Sequence, residues 1–484
     1  MDAIHFTLNG SSVVVRDVSP TTTVLQWLRG HQRQTGTKEG CAEGDCGACT
    51  IAVLDQDAAG GPAWRSVNSC LLLLPMLHGR QVVTVEGLAD GPSLHPVQQA
   101  MVDCLGSQCG YCTPGVVMTM FEACYRKDLD TDEKVTDQMC GTLCRCTGYR
   151  PIRDAAHTVK GLRPDDRFRQ AEGSAASVRG LSYVSAGQRY FQPTTREALF
   201  TLLASHTDAR VVCGMTDLGL DVTKKHTAFP CLIALDAIAD LREVRRDGSL
   251  WRIGAAVPLS ELEALTEGEL VPLNRMLRYF GARQIKNRAS VGGNLCNASP
   301  IGDLAPVLLA LGATAVIASS EGERRVLLED FFTGYRQTAL QPGEILAAVE
   351  LTTPDADARV ASYKVSKRRE LDISAVSAGF YVRVVDGLVT SARLAFGGMA
   401  ATPSRAEAVE QALIGEAWTR DAVNKAAALL DQCFEPLSDH RGSAWYRRTV
   451  AANLLRGFYD ETLHTHQPTL APGHSGTVIM EAGA

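Results

Sequence analysis

The chain has no surplus of basic residues: 48 lysines and arginines stand against 54 aspartates and glutamates, a net charge of −6. Nucleic-acid binders collect positive charge on one face, so that class is excluded. No apolar run approaches the ~20 residues that cross a bilayer. The start, Met1-Asp2-Ala3-Ile4-His5-Phe6, has neither the basic region nor the apolar stretch of a signal peptide. A cytoplasmic protein is expected, with neither nucleic acid nor membrane as partner. There is no G-x-G-x-x-G fingerprint, so a Rossmann nucleotide site is unsupported. No long repeat or low-complexity tract is present, and no residue pattern marks an acid–base catalyst.

What the sequence has in excess is cysteine, 15 in 484 residues. In a cytosolic chain that number points to metal or redox chemistry rather than to disulfides. Eleven of them precede residue 147. A chain of this length exceeds a single core and should divide into roughly three or four domains. Ile4-His5-Phe6-Thr7-Leu8 alternates as a half-buried strand does, Asn9-Gly10 is a two-residue hairpin signal, and Val13-Val14-Val15 supplies the return. Thr21, Thr22 or Thr23 can cap a helix through Val24–Leu28. A hairpin, a helix and a cysteine-rich glycine loop, in that order, begin a β-grasp ferredoxin.

Cys41, Cys46 and Cys49, followed by Cys70, have the C-x4-C-x2-C…C spacing of a plant-type [2Fe–2S] site. Gly40, Gly44 and Gly47 let the backbone wrap closely and aim amides at the sulfurs. Zinc prefers paired C-x2-C knuckles, which this spacing does not fit. A second set follows in Cys109-Gly110-Tyr111-Cys112-Thr113-Pro114-Gly115 and Cys144-Arg145-Cys146-Thr147-Gly148-Tyr149-Arg150-Pro151-Ile152. Each pair precedes a helical stretch, near 115–126 and 151–160. Thr113 can serve as N-cap with Pro114 at the first helical position, and Pro151 can open the second helix. Two helix N-termini would then face one cluster and favour its added electron. Spacing alone leaves zinc open here, although the neighbouring ferredoxin loop favours iron–sulfur. The other seven cysteines (Cys104, Cys124, Cys140, Cys213, Cys231, Cys296 and Cys433) match neither motif and are read mostly as small buried hydrophobes.

These two motifs resemble those of the molybdenum hydroxylases, the xanthine oxidase family. The likeness implies that the helical domain holds the cluster nearer the molybdenum, and that Gln108 touches a molybdopterin held by another subunit. Two glycine loops in the later half are each weak signals alone, since Gly-Gly-Asn is more often a turn. They are Val211-Val212-Cys213-Gly214-Met215-Thr216-Asp217-Leu218-Gly219, and Ala289-Ser290-Val291-Gly292-Gly293-Asn294-Leu295 followed by Pro300–Pro306. Such loops can wrap a pyrophosphate with backbone amides. Together, and in this order, they resemble the FAD domain of the same family. The resemblance implies an FAD site drawn from Val212, Cys213, Gly214, Met215, Thr216, Asp217, Leu218, Ser290, Gly292, Gly293 and Asn294. It also places Asp303 on a flavin or ribityl hydroxyl and Phe280 near the adenine or the ring. Met215 departs from the small or polar residue usual there. Farther on, Tyr363–Ile373, Phe396–Ala400 and Asp439–Arg447 resemble the small domain that closes over the flavin.

The expected fold is α+β and multidomain: a β-grasp ferredoxin domain (1–80), a helical [2Fe–2S] domain (81–162), a linker (163–188), an α+β FAD-binding domain (189–358), a smaller C-terminal α+β domain (359–466) and a tail (467–484). By resemblance the cofactors are two [2Fe–2S] clusters and FAD. The partners implied are a molybdenum-containing large subunit and NAD+, in support of oxidation of hypoxanthine and xanthine to urate. The same module could serve an aldehyde or N-heterocycle hydroxylase, and a zinc-binding assembly protein is the alternative from another class.

Overall fold

In a computed structural model, which describes residues 3–56, 61–173 and 179–463, the expected hairpin forms at Asn9-Gly10. Both residues have positive φ, 51° and 84°, the twist that suits a two-residue turn between strands β1 (Ile4–Leu8) and β2 (Ser11–Val15). Thr23, of the three candidate threonines, caps helix α1 (Val24–Gly30) and completes a reciprocal capping box with Gln26. Strands β3 (Thr50–Gln56), β4 (Pro62–Asn68) and β5 (Gln81–Val83) finish a five-stranded sheet of order β2-β1-β5-β3-β4, in which β1 and β5 run parallel. Phe6, Trp27, Leu28, Val53 and Leu77 lie in its core.

Four helices follow: α2 (Pro96–Asp103), α3 (Thr113–Tyr125), α4 (Asp132–Met139) and α5 (Arg150–Val159). The sequence reading found α3 and α5 and missed the other two. Its capping assignment is corrected: Cys112 is the N-cap of α3, Thr113 is already helical, and the Thr113 hydroxyl pairs with Ser107 at 2.7 Å. Eleven of the thirteen residues of α3 are buried, so this helix is the spine of the helical domain. Phe121, from its middle, meets Trp64 of β4 at 5.5 Å and Phe168 at 5.0 Å between ring centroids. Within the stretch expected as linker lie a short helix (Arg167–Ala171), capped by Asp166, and strand β6 (Leu181–Ser185). The tail expected at 467–484 lies outside the described residues.

By contacts the chain divides into two units. The first comprises Met1–Ala239, Pro258–Glu261 and Ala282–Ala289, and the second the remainder. The first unit adds to the elements above a four-stranded sheet of order β6-β7-β9-β8, with β7 (Gln188–Gln192), β8 (Arg210–Val212) and β9 (Cys231–Ala234) parallel to one another. The second unit has a five-stranded sheet from segments Val244–Asp247, Leu250–Gly254, Ile345–Thr352, Thr314–Ser319 and Gly322–Leu327, in that spatial order. It ends, as expected, in strands and then helices. The long strands Ala358–Val365, Val376–Val385 and Leu388–Gly397 form a meander around Tyr363, Phe380 and Phe396, on which the 18-residue helix Ala444–Glu461 lays Phe458.

Candidate cofactor sites

In the first cysteine set the loop 41–49 turns at Gly44 and Gly47, whose φ values of +81° and +68° favour glycine. A Cβ on Gly40 would lie 2.7 Å from Cys46 Sγ, so the backbone there passes close to a ligand sulfur. Amides point at the sulfurs as the glycines suggested. Cys46 N–H donates to Cys41 Sγ at 3.3 Å and Glu43 N–H at 3.4 Å, while the Gly44 amide serves Cys70 and the Ala48 amide serves Cys46. The Cys46 thiol, together with the amides of Cys46, Glu43 and Asp45, brings the Cys41 thiol down to about 5, while the same contact raises the Cys46 thiol.

The sulfurs gather in pairs. Cys49 and Cys70 Sγ are 3.3 Å apart, and the Cys41 and Cys46 thiols interact electrostatically. In the second set Cys109 and Cys146 Sγ are 3.2 Å apart, and the Cys112 and Cys144 thiols interact electrostatically. One zinc ion with Zn–S bonds of about 2.3 Å holds all four sulfurs within about 4 Å of one another. Among the described residues neither set has three sulfurs mutually within 4.8 Å. Two pairs set apart are what a two-iron cluster needs, with two thiolates for each iron. The residues therefore fit [2Fe–2S] clusters and argue against zinc at both sites. Cys49 and Cys70 are buried, Cys41 and Cys46 half-buried; Cys112 and Cys144 are buried, Cys109 and Cys146 exposed. Gln108 is exposed beside Cys109. The expectation for the remaining seven cysteines is corrected: only Cys124 and Cys231 are buried, and Cys296 is exposed.

The two sets meet through backbone. Leu143 N–H donates to Cys46 C=O at 2.9 Å, joining the residue before one ligand to another ligand of the opposite set. A Cβ on Gly47 would stand 2.1 Å from Gly141 O, and one on Gly115 2.2 Å from Gly47 O. Only glycine admits this approach. Beneath it, Glu122 of α3 is wholly buried and accepts from Arg283 Nε at 2.9 Å, Ser66 N–H at 3.0 Å and Asn287 Nδ2 at 3.0 Å. Burial pushes its carboxyl up, but Arg283, Arg65, Arg126 and Ser66 outweigh that and hold it at about 2.

The glycine loops fall in different units. In the first, Val212 ends β8, and Gly214 and Met215 both have positive φ, +70° and +68°. A Cβ on Gly214 would lie 1.9 Å from Arg288 O. Met215 is buried in the core, and its amide donates to Cys213 O at 2.8 Å, closing the turn. Thr216 and Leu218 are half-buried and Asp217 exposed. In the second unit Ser290 caps a short helix, Val291–Cys296, by accepting from Gly293 N–H at 3.0 Å. Gly292 N–H donates to Ala255 O, and a Cβ there would crowd Ala255 at 2.6 Å. Among the described residues Asn294 Oδ1 is buried with no hydrogen-bond partner, which leaves an acceptor for a donor such as a ribityl hydroxyl. Asp303 and Phe280 come together around Lys364, whose Nζ lies 2.6 Å from Asp303 Oδ2 and 3.5 Å from Phe280 O; Ser374 Oγ donates to Asp303 Oδ1 at 2.6 Å. The sequence reading included Lys364 in the Tyr363–Ile373 resemblance but gave it no role of its own.

Four family profiles match in chain order: the 2Fe–2S iron–sulfur cluster binding domain at 6–74, a [2Fe–2S] binding domain at 84–157, the FAD binding domain in molybdopterin dehydrogenase at 184–354, and the CO dehydrogenase flavoprotein C-terminal domain at 361–462. Over 96% of its length the chain is 31% identical to a xanthine dehydrogenase of Emericella nidulans, and over 95% it is 32% identical to a xanthine dehydrogenase/oxidase of Rattus norvegicus. It spans 39% of the length of each of these relatives. Among solved structures, a reconstituted CO dehydrogenase chain from Oligotropha carboxidovorans is 30% identical with a TM-score of 0.52, covering 55% of this chain and 94% of that one. A chain of quinoline 2-oxidoreductase from Pseudomonas putida 86 gives 26% identity and a TM-score of 0.52, covering 56% and 94%.

Proposed function

We propose a specific role for this chain from one premise: it belongs to the molybdenum hydroxylase family, of which it forms the iron–sulfur and FAD-binding part, an electron-transfer module. The role is that of a xanthine dehydrogenase electron relay, carrying electrons from a molybdopterin on a large partner subunit to FAD and on to NAD+. The observation that carries it is the 31–32% identity to xanthine dehydrogenases along almost the whole chain.

When bound, the clusters supply one-electron steps and FAD the exchange between one- and two-electron chemistry. The chain's own residues hold and order these groups. Cys109, Cys112, Cys144 and Cys146 take the cluster at the exposed end, where Gln108 faces the partner's pterin. Cys41, Cys46, Cys49 and Cys70 take the more enclosed one. Val212–Leu218, Ser290, Gly292, Gly293, Asn294, Phe280 and Asp303 are the proposed flavin residues. Here Asp303 is oriented by Lys364 and Ser374, and the buried Asn294 oxygen is left as an acceptor for the ligand. No helix among the described residues is long and apolar enough to cross a membrane.

The purified chain, loaded with iron and FAD, should oxidise NADH with an artificial dye and fail to oxidise xanthine. With its molybdenum partner added, xanthine should reduce the clusters and then NAD+. Xanthine turnover by the chain alone, shown free of molybdenum, would overturn the relay reading. Failure with xanthine but turnover of another N-heterocycle, an aldehyde or CO in the complete complex would support the second reading, the same module in a different hydroxylase. The quinoline and CO dehydrogenase likenesses favour that alternative.

A further inference from the structure

Segment Ala282–Ala289 is polar (Ala-Arg-Gln-Ile-Lys-Asn-Arg-Ala), yet Arg283, Gln284, Lys286 and Asn287 are all less than a tenth exposed. It lies between the FAD-loop residues in sequence and packs within the unit that holds both cysteine sets. Its members have separate partners: Arg283 and Asn287 take Glu122, and Lys286 takes Asp137 at 2.9 Å. Gln284 does something different. Its Nε2 lies 2.9 Å from Thr119 Oγ1, 3.3 Å from Thr50 Oγ1 and 3.4 Å from Thr142 Oγ1. Thr50 directly follows the first cysteine loop, Thr119 sits on the helix that Cys112 opens, and Thr142 stands two residues before Cys144. Three segments that carry ligands of both sets thus converge on one amide group, with all four side chains at most 3% exposed.

Proton counting fixes the direction of these bonds. A threonine hydroxyl has one proton. Thr50 donates its proton to Gly47 O at 2.6 Å, and Thr119 donates to Gly115 O at 2.8 Å. Thr142 Oγ1, 2.9 Å from Thr119 Oγ1, must therefore be the donor of that pair. Thr50 Oγ1 keeps lone pairs free to accept, Thr119 Oγ1 has room for a second bond besides that from Thr142, and in this buried pocket Gln284 Nε2 is placed to donate to both. The two carbonyls at the end of this relay, of Gly47 and Gly115, belong to the glycines whose backbones touch where the cysteine loops meet. Gln284 Oε1 occupies the space a Cβ on Gly141 would need, at 2.0 Å. The glutamine thus braces the same junction from the third side.

We propose that Gln284 is a positioning residue for electron transfer between the two clusters: its amide, acting through Thr50, Thr119 and Thr142, holds the Cys46–Leu143 backbone contact in place. One electron crosses this junction with no bond made or broken, so what the protein contributes is separation and rigidity. The proposal rests on the two-cluster assignment.

The test compares the cluster- and FAD-loaded full chain with Gln284→Met, which keeps the length and removes the donor, and with Lys286→Met, which breaks a buried ion pair of the same segment but does not touch the threonines. Iron content separates the two levels of the argument: fewer than about four irons per loaded wild-type chain would sink the cluster assignment itself. With four present, Gln284→Met should retain its iron. It should weaken the magnetic interaction between the two reduced clusters at low temperature and slow inter-cluster equilibration about tenfold or more, the scale on which second-layer partners act. Lys286→Met should melt at lower temperature with interaction and rate unchanged. Unaltered interaction and rate in Gln284→Met, loss of its iron, or the same spectroscopic loss in Lys286→Met would each overturn the proposal.

Discussion

The two cysteine sets use the same chemistry in opposite surroundings. In the first, all four thiols are at least half withdrawn from solvent, and the glycine between two ligands, Gly47, packs on the backbone of Gly141 and Thr142. In the second, Cys109 and Cys146 are exposed, and the corresponding glycine, Gly110, has none of the described residues within 4 Å of where a Cβ would stand. Both glycines have positive φ, +68° and +81°. One loop is therefore shaped by turn geometry and packing together, the other by turn geometry alone. A more enclosed centre exchanges electrons mainly with neighbours in its own chain. A centre with two ligands at the surface can face another protein, which supports the proposal that the second set stands at the entry of the relay.

The largest effects should come from the ligands. Cys49→Ser should remove the reduced-state paramagnetic signal of the first cluster and lower iron from about four to about two per chain, leaving the second signal in place. The contrast in exposure sharpens this. A chelator added to the wild-type chain should strip the second cluster before the first, followed by the order in which the two signals fade. Loss of the first signal ahead of the second would break the comparison.

Next in size is the support shared by both sets. Glu122 answers Arg283 and Arg65, so Glu122→Gln leaves buried guanidinium groups without their countercharge and should cost roughly 3–5 kcal/mol in urea unfolding. The sign of the pH dependence follows from a carboxyl held at about 2 in the folded chain, below the 4.5 of an unperturbed glutamate. Its contribution is fully present above about pH 4.5 and is lost as pH falls from there toward 2. The gap between wild type and Glu122→Gln should be constant from pH 7 to 5 and narrow below 4.5. A gap that widens on acidification would show that Glu122 is not the ionised member of this network.

The cysteine sets were legible because a ligand's chemistry sits in its residue type and spacing, and the hairpin at Asn9-Gly10 because φ > 0 restricts residue choice at two adjacent positions. Helix α4 carried little signal: of its eight residues only Val135 and Gln138 are buried, so there is no apolar stripe to find. Gln284 was invisible, and Lys364 was given no role of its own, for a different reason. A polar residue is read as solvent-facing unless its partner is known, and their partners lie 142 or more and 61 residues away in sequence. The glycine loops lie between these cases, since a Gly-Gly-Asn turn becomes a site only through its surroundings. Met215, unusual in its place, is accommodated because its side chain turns into the core while its amide closes the turn.

The smallest effects isolate the difference between the loops. Gly47→Ala and Gly110→Ala make the same chemical change at matching places, and both force alanine into a left-handed backbone that costs about 1–2 kcal/mol. At Gly110 that is the whole effect, because the added methyl meets open space. At Gly47 the methyl would lie 2.1 Å from Gly141 O and 2.8 Å from Thr142 Cα. Backbone cannot yield there without moving the segment that leads to Cys144, so the total should reach about 3 kcal/mol. The spectra should separate the two further. Gly110→Ala should perturb the second cluster's signal alone, whereas Gly47→Ala should alter both, because its methyl pushes one ligand loop off the other. Thermal melts and low-temperature spectra of the two variants measure this directly. Equal destabilisation, or a Gly47→Ala chain with an unchanged second signal, would mean that the loops do not bear on each other as the backbone contacts require.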